Sequence, residues 1–192
     1  MELLFLPKRR RANVMVDTVL AAARMACIDP TRFAHYSIGH CLATTLARYP
    51  FTARERNLVS LDVLEDFSFH GSEQLMVYTL CSLLKNALWA IWTAGKGRVF
   101  ITARRTGSTP QILFTDTGPG IAPSVLPRVF DAGASGGDQR LPGIGLAFCQ
   151  SVLTAFGGSI RCDTLQGQFT TFTLEFPALR EEALPALEIG AD

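Results

Sequence analysis

Three short segments of the chain contain residue types suited to ligand binding, and one of them is a carboxylate followed by glycines. The segment DTGPG places Asp116 after an apolar run and Gly118 and Gly120 directly behind it. Glycine has no side chain to hold a ligand away from the backbone, and binding residues concentrate in loops after regular elements. Asp, Gly and Pro also form ordinary turns without a ligand. The segment therefore predicts either a simple turn or a binding loop.

A pair of glycines marks the second stretch, in the segment GIGL. Gly143 and Gly145 lie where an apolar, helix-like pattern resumes, and the free N–H groups and the dipole at a helix start favour phosphate. No Gly-Lys-Ser or Gly-Lys-Thr follows, and the glycine spacing of the dinucleotide fingerprint is absent. The segment indicates a phosphate cradle of another kind, or glycine that only marks a helix start.

A single amide in an apolar helix forms the third stretch. Asn86 is surrounded in sequence by leucine, alanine and tryptophan. Its side-chain oxygen could complete the shell of a Mg²⁺ ion that keeps its waters and phosphate oxygens. The alternative is a buried asparagine satisfied by the backbone. Each of the three signals is ambiguous alone, and their order and spacing are what favour a common site.

Periodicity predicts the elements that would position these groups. Helical spacing of apolar residues predicts four helices. The first covers 11–27, and the second is capped by Ser37 and ends near Tyr49-Pro50. The third is long and covers 71–93, and the last covers 144–156. Alternating patterns predict strands near 57–63 and 66–69, a hairpin of VFITARR and QILFTD, and a closing pair of SIRCDT and FTTFTLEF. Residues 117–143 hold six glycines and four prolines, which is typical of a functional lid.

The element order favours an α+β fold. Strands and helices do not alternate singly, so a parallel doubly wound sheet is disfavoured. We expect a two-layer α/β sandwich, with a mixed sheet that carries helices on one face, plus the N-terminal helix. The predicted divisions are a helical segment over 1–30, the main domain over 31–177 and a loose tail over 178–192.

Composition excludes several classes of protein. The 192 residues are 48% hydrophobic and 18% charged, which argues against disorder and against a fibre. The net charge of +1 gives no field to recruit nucleic acid. The five cysteines lack CxxC spacing, which favours a reduced, cytoplasmic protein. The apolar start at 3–6 is too short for a signal peptide, no later apolar run looks long enough to span a membrane, and we expect no membrane contact by this segment.

Five segments, in order, resemble the motifs of the histidine-kinase ATPase domain: KNALWAI, DTGPGI, RVFDAG, GIGLAFCQSVLTAFGGSI and TTFTLEFP. The resemblance covers roughly residues 37 to 177. That domain belongs to the superfamily shared with gyrase, Hsp90 and MutL, whose Bergerat fold is an α/β sandwich. The GIGLAFC and YPF segments look most like those of quorum-sensing sensor kinases.

The resemblance implies ATP and Mg²⁺ as ligands and assigns a role to each motif. Asp116 would accept a hydrogen bond from the adenine amino group, Gly118 and Gly120 would shape the base pocket, Thr170 would join the water network around adenine, and Asn86 would hold magnesium.

The resemblance also assigns the phosphate end of the site. Gly143 and Gly145 would cradle the phosphates, and residues 121–142 would form a mobile ATP lid with Phe130 as its hydrophobic anchor. No lysine lies in an obvious position in the lid. Arg128 and Arg140 flank it and either could neutralise the γ-phosphate, and Arg140 is preferred on position alone.

The sequence departs from the family pattern at several positions. Ser82 replaces the first amide of the magnesium helix, and Trp89 and Ala90 occupy positions that often carry Lys and Tyr. Leu141 replaces the first glycine of the phosphate segment, and Phe169 replaces a usual glycine before Thr170. Nucleotide contacts are therefore expected to be fewer than usual.

The leading hypothesis is the catalytic ATP-binding domain of a sensor histidine kinase. Helix 11–27 resembles the second helix of a dimerisation hairpin, whose first helix carries the phosphoacceptor. His35, His40 and His70 lack the His-Glu/Asp motif, so the γ-phosphoryl group would pass to a histidine outside this segment. Expected partners are a phosphoacceptor histidine domain, a response regulator and a second copy of the chain through the N-terminal helix.

Two other functions remain open. A degenerate module that binds nucleotide weakly or not at all would serve as a docking or dimerisation surface, and Ser82, Ala90 and Leu141 favour it. A stand-alone protein-serine kinase of the anti-sigma type would share the ATP motifs but would not need the helix over 11–27.

Overall fold

The computed structural model describes residues 28–132 and 144–178. The helices are α1 (Ile38–Arg48), α2 (Ala53–Arg56), α3 (Glu73–Ala94) and α4 (Ile144–Ala155), with short 3-10 turns at Pro30–Arg32 and Leu126–Arg128. The strands are β1 (Ala34–Ser37), β2 (Val59–Val63), β3 (Ser68–Gly71), β4 (Val99–Thr106), β5 (Thr109–Asp116), β6 (Ser159–Leu165) and β7 (Phe169–Glu175). The predicted helix over 11–27 lies outside the described residues.

The main sheet has five strands in the order β2-β4-β5-β7-β6. Strand β2 runs parallel to β4, and every other neighbouring pair is antiparallel. The sheet is therefore mixed, as the element order predicted. Strands β1 and β3 pair with each other in a separate two-stranded sheet.

Helix α3 is the central helix of the core. Ser72 caps its start by accepting a hydrogen bond from the Leu75 N–H at 3.4 Å, and Gly95 ends it in the left-handed conformation at φ 71°. Its core stripe is buried against the sheet: Met76, Val77, Thr79, Leu80, Leu83, Leu84, Ala87, Leu88 and Ile91. The predicted bounds of 71–93 agree with the observed helix to within two residues.

The sheet carries its helices on one face, which confirms the α/β sandwich. Alternate residues of β4, Val99, Ile101 and Ala103, join the buried cluster that includes α3 and α4. Phe100 between them points to the opposite face and is exposed. One face of the sheet therefore supplies the core and the other stays open.

The short elements differ most from the prediction. Ser37 caps α1 as predicted, since its hydroxyl accepts from the His40 N–H at 3.0 Å. Strand β1 and helix α2 were not predicted; Thr52 and Glu55 form a capping box around α2. The strand predicted near 66–69 lies at Ser68–Gly71. Elements of four residues carry little periodicity, which explains why β1 and α2 were missed and why the bounds of β3 were displaced by two residues.

The expectation that no apolar run reaches spanning length is wrong for α3. Its 22 residues include an 18-residue window of mean hydropathy 1.3, enough by length and composition to cross a membrane. Half of that window is buried inside the protein. The apolar character of α3 is accounted for by its central place in the core, which is a feature that buried helices share with membrane spans.

Candidate functional site

Asp116 occupies a buried position at the end of a central strand. It is the last residue of β5, pairs in register with Val99 on β4 and Thr170 on β7, and is only 4% exposed. Its Oδ1 atom accepts a hydrogen bond from the Gly118 N–H at 2.9 Å. The Asx-type turn that the sequence left open is therefore present, and it holds the carboxylate in one orientation.

Burial changes the acidity of this carboxylate. Loss of solvation raises the pKa of Asp116 from 3.8 to about 6, although the hydrogen bond from Gly118 favours the charged form. The group is still mostly ionised at neutral pH. None of the other described residues donates a hydrogen bond to the carboxylate. Its second oxygen is thus suited to accept from an incoming N–H donor.

Gly118 and Gly120 are needed as glycine by the packing around Asp116. A Cβ on Gly118 would lie 2.7 Å from Oδ1 of Asp116 and 3.3 Å from the Cβ of Ala90. Gly120 has a φ of +66°, and a Cβ there would overlap the carbonyl oxygen of Leu165. The loop therefore fits tightly between α3 and the tip of the β6–β7 hairpin.

Thr164 connects the loop to that hairpin. Its hydroxyl donates to the Phe169 carbonyl oxygen at 2.7 Å, accepts from the Ile121 N–H at 3.0 Å and lies 3.4 Å from the Thr170 hydroxyl. The Gly167 N–H adds a bond to the Pro119 carbonyl oxygen at 2.6 Å. Sequence reasoning missed Thr164, although the closing hairpin and its turn could have placed it opposite Thr170.

Helix α3 lines the candidate site with one residue per turn. Ser82, Asn86 and Ala90 are four residues apart and so share one face of the helix, over a length of about 12 Å. Ala90 contacts Gly118 at one end. At the other end, a Cβ on Gly145 in the first turn of α4 would lie 2.7 Å from Oγ of Ser82. Gly118 and Gly145, which were predicted for opposite ends of the site, thus lie beside the same face of one helix.

Asn86 lies between these two contacts. It is half-buried, and no hydrogen bond joins its amide to another described residue. The alternative of an asparagine satisfied by the backbone finds no support in this part of the chain. Asn86 lies one helical turn from Ser82, which is next to Gly145. An amide with no partner among the described residues is a suitable ligand for a hydrated cation.

A buried cysteine, Cys149, lies where α3 and α4 pack together. Burial raises the pKa of the Cys149 thiol to about 12, against a smaller opposing effect of a hydrogen bond with Ser82. The same thiol lies 3.7 Å from the Thr79 carbonyl oxygen. A neutral, buried thiol is neither a nucleophile nor a metal ligand. Ser82 is therefore engaged in helix packing in the position where the family pattern has an amide.

Phe130, the predicted hydrophobic anchor of the lid, packs against the core. Its ring contacts that of Phe172 on β7 edge-on, with centroids 6.2 Å apart. The exposed pair Arg128 and Asp131 flanks it, with 3.1 Å between Nε and Oδ2. The predicted phosphate contacts Arg140 and Gly143, and the substituted Leu141, lie outside the described residues.

Within residues 28–132 and 144–178, no three His, Cys, Asp or Glu side chains are grouped as metal ligands. A cation at Asn86 would therefore draw most of its ligands from water and from a bound anion. This agrees with the way Mg²⁺ is held in phosphate sites.

Comparison with known proteins places this geometry in a family context. The sequence model described as "Histidine kinase-, DNA gyrase B-, and HSP90-like ATPase" matches residues 71–180. The CAI-1 autoinducer sensor kinase/phosphatase CqsS of Vibrio cholerae is 34% identical over 166 residues, 86% of this chain and 24% of that protein. The autoinducer 1 sensor kinase/phosphatase LuxN of Vibrio campbellii is 26% identical over 88% of this chain and 20% of that protein.

A solved structure shares the fold. Full-length ShkA in complex with AMPPNP superposes with a TM-score of 0.69 at 24% identity, over 87% of this chain and 36% of that one. The chain spans a quarter or less of the length of the two autoinducer sensor kinases.

Proposed function

The chain belongs to the family of histidine kinase-, DNA gyrase B-, and HSP90-like ATPases, and on this premise we propose that it is the catalytic ATP-binding domain of a sensor histidine kinase. The CqsS and LuxN relatives are named as autoinducer sensor kinases, which supports a place in quorum-sensing signal transduction. As in such kinases, the domain would act on the cytoplasmic side of a membrane-bound protein.

The observation that carries the proposal is the buried carboxylate of Asp116. One of its oxygens is held by Gly118, and the other has no donor among the described residues. An adenine amino group is a donor that would satisfy it. A partner that left this carboxylate unpaired would forfeit a charge-assisted hydrogen bond, worth about 1.5–3 kcal/mol. The base would lie between Gly118, Gly120 and α3, with Thr170 directly beside Asp116 in the neighbouring strand.

The phosphates would extend along α3 from Ala90 toward Gly145. Asn86 would bind Mg²⁺ through its amide oxygen, and the free N–H groups at the start of α4 would face the phosphate oxygens. When bound, Mg²⁺ would neutralise charge on the transferring phosphoryl group. Gly143 is proposed for the same region from the resemblance, and Arg140 from its position beside the lid alone.

Phosphoryl transfer would need a second segment. A nitrogen of a phosphoacceptor histidine would attack the γ-phosphorus in line, and ADP would leave as the bond to its β-phosphate oxygen breaks. The domain would contribute positioning and charge neutralisation. The proposed partners are that phosphoacceptor domain, a response regulator that receives the phosphoryl group, and a second copy of the chain.

A docking module without nucleotide is the second candidate, and one observation favours it. Ser82 stands where the family pattern has its first amide, and its hydroxyl forms a hydrogen bond with Cys149 and lies close to Gly145. The site would then have lost one cation ligand. The affinity of the chain for Mg²⁺-nucleotide therefore distinguishes the two candidates.

Calorimetric titration of Mg²⁺-ADP and Mg²⁺-ATP into the purified chain tests the proposal. We expect micromolar binding, about −8 kcal/mol, and at least a 100-fold weaker affinity in Asp116→Asn. An asparagine has one acceptor oxygen where aspartate has two. If that oxygen keeps its bond with the Gly118 N–H, the NH₂ group faces the adenine amino group, and if the amide is flipped, the bond with Gly118 is lost.

Asp163→Asn is the matched control for this titration. It removes the same charge from the neighbouring part of the sheet, where Asp163 is exposed and paired with Arg161 at 2.8 Å, and should leave nucleotide affinity unchanged. No binding to the wild-type chain at millimolar nucleotide would refute the kinase proposal and support the docking module.

A further inference from the structure

Two histidines are neighbours across the small sheet of β1 and β3, which is separate from the main sheet that carries Asp116. His35 on β1 and His70 on β3 are direct cross-strand partners, and both are exposed. Their ring centroids are 5.2 Å apart with planes inclined by 59°. Nothing in the proposed nucleotide function uses this pair.

The ring nitrogens of the pair are uncommitted. No hydrogen bond or ion pair joins the imidazole of His35 or His70 to another described residue. His40 is different, because its Nε2 atom lies 3.2 Å from a carboxylate oxygen of Glu73 and 3.4 Å from the Thr44 hydroxyl. The His35 and His70 nitrogens therefore keep a lone pair available, as a metal ligand must.

The spacing of the two rings suits a shared metal ion. An imidazole nitrogen binds Zn²⁺ at about 2.0–2.1 Å, so the ring centre lies about 3.2 Å from the ion. Two such rings at a tetrahedral angle lie about 5 Å apart, which agrees with the observed separation. Contact of the His70 ring with Phe33, edge-on at 6.0 Å, limits its freedom to turn away.

We propose that His35 and His70 form a two-histidine binding site for a divalent transition-metal ion of the Zn²⁺ type. Water would fill the remaining coordination positions, since both rings face solvent. Imidazole ligands favour zinc, copper and nickel over magnesium and calcium, so this site is chemically distinct from the proposed Mg²⁺ position at Asn86.

A bound ion would link β1, the first strand of the described structure, to β3. Strand β1 follows directly on the first described residues, and among the described strands it pairs with β3 alone, over four residue pairs. Two-stranded sheets are marginally stable alone. A metal bridge between residues 35 and 70 would hold β1 in register, and it would stabilise the folded state by mass action.

Titration of ZnCl₂ into the purified chain, free of nucleotide, tests the proposal. Calorimetry should give one site that either His35→Phe or His70→Phe weakens at least tenfold. Phenylalanine keeps a ring of similar size in the sheet, so packing is preserved while the nitrogen ligand is lost. The melting temperature of the wild-type chain should rise with ZnCl₂, and that of each variant should rise less.

His40→Phe is the matched control and should bind Zn²⁺ like the wild-type chain. A Co²⁺ titration distinguishes histidine from cysteine ligation, because thiolate-bound cobalt absorbs strongly in the near ultraviolet. If His70→Phe does not fold, as circular dichroism would reveal, His35→Asn on the outer strand provides the same test. Wild-type affinity in both the His35 and His70 variants, an equal loss in His40→Phe, or no Zn²⁺ binding by the wild-type chain would each overturn the proposal.

Discussion

The two ends of the candidate nucleotide site are built differently. At the base end, Asp116, Gly118 and Thr164 are fixed by short hydrogen bonds to the backbone, and Gly120 fits against the carbonyl of Leu165. At the phosphate end, Asn86 has no hydrogen bond to another described residue. The base end is formed by the fold, whereas the phosphate end would be completed by its ligand.

This difference separates two kinds of mutational effect. A residue that the fold itself uses contributes to stability with or without nucleotide, so its loss should destabilise the free protein. A residue that only a ligand engages should affect binding and leave stability unchanged. Measuring both quantities for variants at each end therefore tests the comparison directly.

The largest effect is expected at Gly120, where alanine should destabilise the protein by about 3 kcal/mol. A left-handed conformation costs a non-glycine residue about 1–2 kcal/mol, and overpacking adds a further amount of similar size. The φ of +66° and the overlap of a Cβ with the Leu165 carbonyl apply here together. Urea unfolding of the nucleotide-free chain measures the change.

Gly107→Ala separates the two causes. Gly107 has nearly the same conformation, φ +60°, but a Cβ there would meet nothing within 4 Å. It should cost only about 1 kcal/mol, for the conformation alone. Equal losses of unfolding free energy in the two variants would mean that the tip of the β6–β7 hairpin moves to accommodate the Cβ at position 120. The base end would then not be rigid.

Sequence reasoning predicted the bounds of the long elements well and the short-range geometry poorly. The stripe on α3 and the alternation in β4 and β5 extend over enough residues to reveal their period, so the sandwich and the position of Asp116 at a strand end followed. Strand β1 has four residues and no such signal. The contacts of Thr164 depend on the register of two strands and a loop 43 residues away in sequence, which residue types alone do not specify.

The next effect is expected at Asn86, where alanine should weaken Mg²⁺-ATP binding by about 10- to 100-fold. Loss of a ligand to a charged group costs about 1.5–3 kcal/mol. The free energy of unfolding without nucleotide should stay within about 0.5 kcal/mol of wild type, because no described residue depends on this amide. Calorimetry with Mg²⁺ and with EDTA should show that Mg²⁺ increases the ATP affinity of the wild-type chain more than that of the variant.

Gln74→Ala controls for helix perturbation. Gln74 lies in the first turn of α3, and its hydrogen bond within the described part of the chain is local, to the Tyr78 hydroxyl at 3.0 Å. The variant should retain the full effect of Mg²⁺. A large loss of stability in Asn86→Ala would contradict the view that the phosphate end awaits its ligand.

A pH-dependent effect of about 1 kcal/mol is expected from Asp116. Its folded-state pKa of about 6 exceeds the ordinary value of 3.8, so the folded state holds its proton more tightly than the unfolded state. The resulting stabilisation is complete below the ordinary pKa and is lost as the pH rises through about 6. Between pH 5 and pH 7 the wild-type chain should therefore lose about 1 kcal/mol of unfolding free energy relative to Asp116→Asn.

Urea unfolding of both chains across this pH range, without nucleotide, gives the difference directly. The comparison with Asp116→Asn cancels the titration of every other group. A constant difference would show that the base end is better hydrated than its burial indicates.

The smallest effect is expected at Thr164, where valine should destabilise the protein by about 0.5–1 kcal/mol. Valine has nearly the same shape, so the change removes the hydroxyl that joins the Ile121 N–H to the Phe169 carbonyl oxygen. A typical net hydrogen bond is worth about 0.5–1.5 kcal/mol, and partial access of water to both groups reduces the loss. The same change should weaken ADP binding a few-fold, because Thr164 holds the loop that follows Gly120.

Thr171→Val provides the contrast on the opposite face of the same hairpin. Its hydroxyl lies 2.9 Å from that of Thr115, on the open side of the sheet, where neither group supports the binding loop. We expect a near-wild-type affinity for ADP in this variant, whatever its small effect on stability. If Thr171→Val and Thr164→Val weakened ADP binding equally, the effect would arise from the hairpin as a whole. The contact between Thr164 and the loop would then not be what prepares the base end for its ligand.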